Sequence, residues 1–146
     1  MKFHLSTVAF GLLLALVGVM VKITGGGRGI GAATAVLLAE RGHDIVVHYR
    51  RDEAAAEATA SAVRAQGREA LVLRAELADE AQVRAMVAEA VGHFGGLDVV
   101  IANAASSAFK PLGALGRHHI TATFDTIVGS FLALVLMKEL EDRLAA

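Results

Sequence analysis

From Val17 onward the chain alternates between two rhythms of apolar positions. Short continuous apolar runs lie between longer stretches in which apolar residues recur every three or four positions. The runs Val17 to Ile23, Asp44 to Tyr49, Ala70 to Ala75 and Leu97 to Ala102 read as strands, rich in β-branched residues and bounded by glycine or charge. The stretch Gly29 to Arg41 predicts a helix with Ile30, Thr34, Leu37 and Leu38 on its apolar face and Gly42 as its stop. Asp52 to Gln66 predicts a second helix, capped by Asp52 and stopped by Gly67. Asp79 with Gln82 three positions on forms a capping-box signature for a third, which runs to about Phe94 through Val83, Met86, Val87, Ala90 and Val91. After a loop holding Pro111, a last helix is expected from about Thr121 to Leu140, with Ile120, Phe124, Ile127, Val128, Phe131 and Val135 as its apolar stripe.

Strand and helix thus alternate four times, which predicts an α/β fold with a parallel sheet and helices on both faces. Strands buried on both faces carry continuous apolar runs, as these do. Lys22 breaks that rule, because an ammonium is costly in a central strand, and the expectation is a distorted first strand. Asp98 reads as a turn residue before the fourth strand.

Composition narrows the picture. The chain has 146 residues, 55% of them hydrophobic and 20% charged, enough for one packed domain and too few for two. Fourteen basic and fifteen acidic residues leave no charge excess that would call for nucleic acid or an anionic membrane. The lack of cysteine excludes disulfides, thiolate chemistry and cysteine-based zinc sites, and fits a cytoplasmic setting. His118 and His119 are adjacent, share no helix face and have no carboxylates around them, so no metal site is expected.

The N-terminus carries no charge from Leu5 to Val21 and is flanked by Lys2 and Lys22. Three readings stay open: lead-in to the first strand, a signal peptide, or a membrane anchor that would make the protein a tethered relative. The chain divides accordingly into an apolar extension over 1–16 and one α/β domain over 17–146.

The chemistry lies in Thr24-Gly25-Gly26-Gly27-Arg28-Gly29-Ile30-Gly31, between the first strand and the first helix. Glycines let backbone approach a pyrophosphate without a Cβ in the way, and the helix N-terminus aims unpaired N–H groups at it. The strand–turn–helix context makes the motif specific.

Residues 24–31 match the Thr-Gly-x-x-x-Gly-x-Gly fingerprint at every defined position, and here the sequence resembles the short-chain dehydrogenase/reductase family. Asn103-Ala104-Ala105 is similar to the family's Asn-Ala-Gly, and Glu76 stands where an aspartate usually meets the adenine amino group. The likeness spans roughly Val21 to Leu136. It implies a three-layer Rossmann-type sheet of order 3-2-1-4 that stops before the fifth strand. It further implies a nicotinamide dinucleotide held by Thr24, Gly25, Gly27, Arg28, Gly29, Ile30, Gly31, Tyr49, Arg50, Arg51, Glu76, Leu77, Asn103, Ala104 and Ala105.

Charge bears on which nicotinamide cofactor fits. An NAD site places an acid at the end of the second strand, where this chain has Tyr49 followed by Arg50 and Arg51, with Arg28 in the turn. Guanidinium groups suit a 2′-phosphate, so the expectation is NADPH over NADH.

The family's Tyr-x-x-x-Lys pair does not occur in these 146 residues: the single tyrosine, Tyr49, is followed by Arg50-Arg51-Asp52-Glu53. The asparagine usual in the last helix is also absent, with Thr126 or Val128 nearby. No catalytic residue is therefore assigned, and the chain reads as a fragment, the cofactor-binding half of an oxidoreductase that reduces a carbonyl or an enoyl double bond and is inactive by itself. The stretch 103–107, with Ser106 and Ser107, is similar to some enoyl-thioester reductases and tilts the substrate toward an acyl thioester. The competing reading is a non-catalytic dinucleotide-binding or interaction module. The last helix is expected to mediate self-association.

Overall fold

The computed structural model describes residues 20–105, 114, 116–129, 131 and 135. Four parallel strands, β1 (Met20–Ile23), β2 (Asp44–Tyr49), β3 (Ala70–Arg74) and β4 (Val99–Ile101), form one sheet of order β3-β2-β1-β4. Between them run α1 (Gly29–Glu40), α2 (Glu53–Ala65) and α3 (Glu80–Phe94), and α4 (Arg117–Phe124) follows β4. This is the expected Rossmann-type arrangement, reached because parallel neighbours require crossovers and the alternating helices supply them.

Residue parity in the strands divides the core. Val21, Ile23, Ile45 and Val47 pack with Ala35 and Ala39 of α1 and Ala56, Ala60 and Val63 of α2. Met20, Val46 and Leu73 pack with Val83, Met86, Val87 and Ala90 of α3. By the same alternation Lys22 and His48 turn to the α3 side.

Several expectations change. Of the expected face of the first helix only Leu38 packs against the core; Ile30 and Leu37 are 79% and 45% exposed, and the buried residues are Gly31, Ala35 and Ala39. The helix is apolar nearly all round, so its large residues do not mark the buried side; close approach to α2 and the sheet selects the small ones. Lys22 is fully buried, yet β1 is regular and pairs with β2 and β4 in continuous register. Asp98 does more than turn the chain: its Oδ2 accepts the Met20 N–H at 2.8 Å, and its own N–H donates to the Met20 carbonyl, clamping β4 to the start of β1.

β4 is shorter than predicted and lies at the sheet edge among the described residues. The last helix starts earlier than expected, at Arg117, and passes after Phe124 into a π-helical turn, Asp125–Gly129. The extension 1–16, Ser106, Ser107, Pro111 and residues 136–146 lie outside the described residues. Among the described residues no helix is long and apolar enough to cross a membrane.

Candidate functional site

The carboxyl ends of the strands open into a cleft of about 350 Å³. Gly25, Gly27 and Arg28 from the turn line it, with Tyr49, Arg50 and Arg51 after β2, Glu76 and Leu77 after β3, and Asn103, Ala104 and Ala105 after β4. Eleven of the fifteen expected residues therefore meet in one place. Thr24 and Gly31 stand behind the wall, Gly29 opens α1, and Ile30 faces solvent.

The turn is held by partners at the ends of β2 and β4. Gly25 sits at φ +66°, a left-handed conformation open to glycine, and the Gly26 N–H donates to the His48 carbonyl at 3.0 Å. A Cβ on Gly31 would clash with the Gly25 carbonyl oxygen and lie 2.7 Å from Asn103 Nδ2, so α1 can come this close only with glycine there. Asn103 Nδ2 donates to the Thr24 carbonyl at 3.1 Å. The Thr24 hydroxyl accepts the N–H groups of Asn103 and Ala104 at 2.9 and 3.0 Å.

The helix N-termini around the cleft differ. Asp52 caps α2 and Asp79 caps α3, each with a glutamate in the first turn. At α1 the cap residue Arg28 makes no side-chain hydrogen bond, and the first turn carries no acid. Its amides and the positive end of its dipole are thus left for an anion from outside. With the glycine wall and three arginines lining the cleft, this fits the diphosphate of a dinucleotide.

The far end of the cleft carries both signs, with Arg50 and Arg51 beside Asp52 and Glu76. Arg50 faces Glu76 across the cleft at 3.7 Å, both partly exposed. The nearby Asp52 is occupied as a cap, its Oδ1 accepting the Ala55 N–H at 3.0 Å. Partial burial and then the Glu53 carboxylate hold the Tyr49 phenol above its ordinary range, so it stays neutral.

Sequence reasoning did not assign four lining residues: His48, Asp52, Ala55 and Thr126. His48 is the most consequential. Its Nδ1 accepts the Gly25 N–H at 3.1 Å, and its Nε2 pairs with the Ala75 carbonyl at 3.0 Å. Burial, followed by the nearby Lys22 charge, lowers its pKa, although the Ala75 contact and Glu76 act the other way. The alternation of β2 could have placed it on the side opposite Val47, at the strand end beside the turn. The Gln82 amide also contributes: Oε1 accepts the Glu76 N–H at 2.9 Å and Nε2 donates to Asp79, so the cap of α3 steadies the Glu76 segment. Among the described residues no group of three side chains suits a metal ion.

Comparison with known proteins is consistent with this geometry. Residues 19–142 match the family model described as short chain dehydrogenase. The hydroxynaphthalene reductase of Aspergillus fumigatus is 39% identical over 99 residues, covering 68% of this chain and 36% of that protein. Versicolorin reductase 1 of Aspergillus parasiticus is 43% identical over 95 residues, covering 65% of this chain and 36% of that protein. A short chain dehydrogenase from Burkholderia cenocepacia, solved in complex with NADP, superposes with a TM-score of 0.81 at 34% identity, over 86% of this chain and 51% of its own. The chain spans between 36% and 51% of the length of these relatives.

Proposed function

Since the chain belongs to the short-chain dehydrogenase family, we propose that it is the cofactor-binding half of an NADPH-dependent oxidoreductase that reduces a carbonyl or an enoyl double bond. The observation that carries this reading is the uncapped, acid-free N-terminus of α1, which opens on a glycine-walled cleft lined by Arg28, Arg50 and Arg51. In it Gly25, Gly27 and Arg28 take the diphosphate, Glu76 and Leu77 the adenine, and Asn103 to Ala105 the ribose side. Thr24 and Gly31 support them from behind. The bound nicotinamide supplies a hydride to the substrate.

Preference for NADPH rests on the cations at the end of β2. Arg50 and Arg51 offer guanidinium forks to a 2′-phosphate, Tyr49 stands where an NAD site places an acid, and Asp52 is committed to its cap. The related Burkholderia enzyme was solved with NADP, which supports the same choice. Two relatives are named as reductases of hydroxynaphthalene and versicolorin, which favours a carbonyl compound of that kind over an acyl thioester. The exposed row Ile120, Phe124, Ile127, Phe131 and Val135 supports self-association through the last helix.

The test is a titration of the purified chain with NADPH and NADH, followed by nicotinamide fluorescence, with Arg50→Asp alongside. NADPH bound more tightly than NADH, with that advantage lost in the variant, is the expected result. Binding of neither dinucleotide overturns the reading. Equal affinity for both, unchanged by Arg50→Asp, overturns the choice of NADPH.

A further inference from the structure

We propose that His48 is a positioning residue for the dinucleotide phosphates: its neutral imidazole holds the glycine-rich turn in the phosphate-receiving shape, and protonation at Nδ1 releases the turn, so that acid weakens cofactor binding. This rests on the reading of the cleft as a dinucleotide site and adds a regulated support to it.

The argument begins with the tautomer. A carbonyl accepts but cannot donate, so the contact to Ala75 puts the proton on Nε2 and leaves the Nδ1 lone pair for the Gly25 N–H. The same residue's carbonyl receives the Gly26 N–H. One residue thus fixes two successive amides of the turn. Through Ala75, directly before Glu76, it also ties the turn to the opposite wall of the cleft. His48 is 2% exposed, so water cannot readily replace these partners.

Protonation places a second N–H against the Gly25 N–H, and two donors cannot share one contact. Either the ring or the turn must move, and the ring is pinned at Nε2. The charged groups around it act in both directions: Lys22 of β1 opposes a charge on the ring, and Glu76 favours it. Arg28 of the turn, Arg50 after β2 and Asp52 before α2 line the same cleft. Burial outweighs the rest and keeps the ring neutral near pH 7.

Two measurements on the full chain test this. In the first, without cofactor, amide and imidazole nitrogen resonances are followed by NMR from about pH 7.5 to about pH 5. The Gly25 and Gly26 amides are expected to shift with the His48 ring, at one midpoint below the ordinary histidine value. Amides that stay still while His48 titrates overturn the proposal.

In the second, dissociation constants of NADPH and NADH are measured over the same range for the wild type, His48→Asn and His48→Leu. The Asn carboxamide oxygen can accept the Gly25 N–H where Nδ1 does and does not titrate. Wild-type affinity is expected to fall about tenfold per pH unit below the midpoint, since only the neutral fraction binds. Relative to the wild type, His48→Asn loses that step and keeps most of the affinity near pH 7, and His48→Leu binds weakly throughout. Titration of the 2′-phosphate itself is common to all three proteins and absent from NADH. A His48→Asn profile that parallels the wild type overturns the proposal alone. Failure of the wild type to bind either dinucleotide at any pH overturns the cofactor reading beneath it.

Discussion

The hydroxyl of Thr24 and the backbone of Asn103, 79 residues apart, are joined at 2.9 Å where β1 and β4 end side by side. The same oxygen also accepts from Ala104 and donates to the Ile101 carbonyl, so a threonine 1% exposed ties the fingerprint turn to the segment after β4. Thr24→Val keeps the shape and strands two amide donors, and should cost about 2–3 kcal/mol in denaturant unfolding. Thr24→Ser keeps the hydroxyl and should cost about 1 kcal/mol, one buried methyl group. A Thr24→Val variant as stable as the wild type, with the loss confined to Thr24→Ser, would mean that the methyl matters and the hydroxyl does not.

One substitution should have opposite signs at two glycines. Gly31→Ala drives a methyl into the Gly25 carbonyl and Asn103, and should destabilise by about 1–3 kcal/mol while weakening dinucleotide binding at least tenfold. Gly92→Ala, on the exposed side of α3 with nothing within 4 Å of the new methyl, should stabilise by about 0.5–1 kcal/mol. Thermal melts of both variants, read against NADPH binding, check the pair.

The contrast shows what could be read in advance. The glycines were legible because a backbone that approaches a phosphate closely needs them at fixed spacing, and Thr24 and Asn103 because they match the family's motifs. The sheet order followed from alternation and the family likeness. The face of α1 was not legible, since periodicity locates large apolar residues, and here the contact belongs to Gly31, Ala35 and Ala39. His48 was hidden for another reason: strand parity assigns a side, but its partners, Gly25 and Ala75, lie 23 and 27 residues away along the chain. Lys22 broke a sound rule about buried charge without deforming its strand.

Lys22 and His48 lie on the same side of neighbouring strands, and the ammonium lowers the histidine's pKa. Lys22→Met removes that charge and fills similar space. The His48 pKa should rise toward 6.5, the ordinary value, without reaching it, because burial remains the larger cause. An NMR titration of the imidazole checks the direction; no change, or a fall, would contradict it.

Stability should carry the mark of the same group. The unfolded chain takes up a proton at His48 near pH 6.5, whereas the folded chain takes it up only at lower pH. Below pH 6.5 the unfolded state therefore binds more protons, and folding weakens as pH falls, until the lowered folded value is passed. The slope contributed by one such group is at most about 1.4 kcal/mol per pH unit. Asp79, whose carboxylate is lowered mainly by the Gln82 amide, acts in the same direction in a separate window beginning near pH 3.8. Urea unfolding of the wild type and His48→Asn at intervals of pH separates the two. The difference between the curves should shrink from pH 6.5 downward as the wild type loses its advantage, while the decline below pH 3.8 is shared by both. Parallel curves across the upper window would show that His48 titrates alike in the folded and unfolded chains.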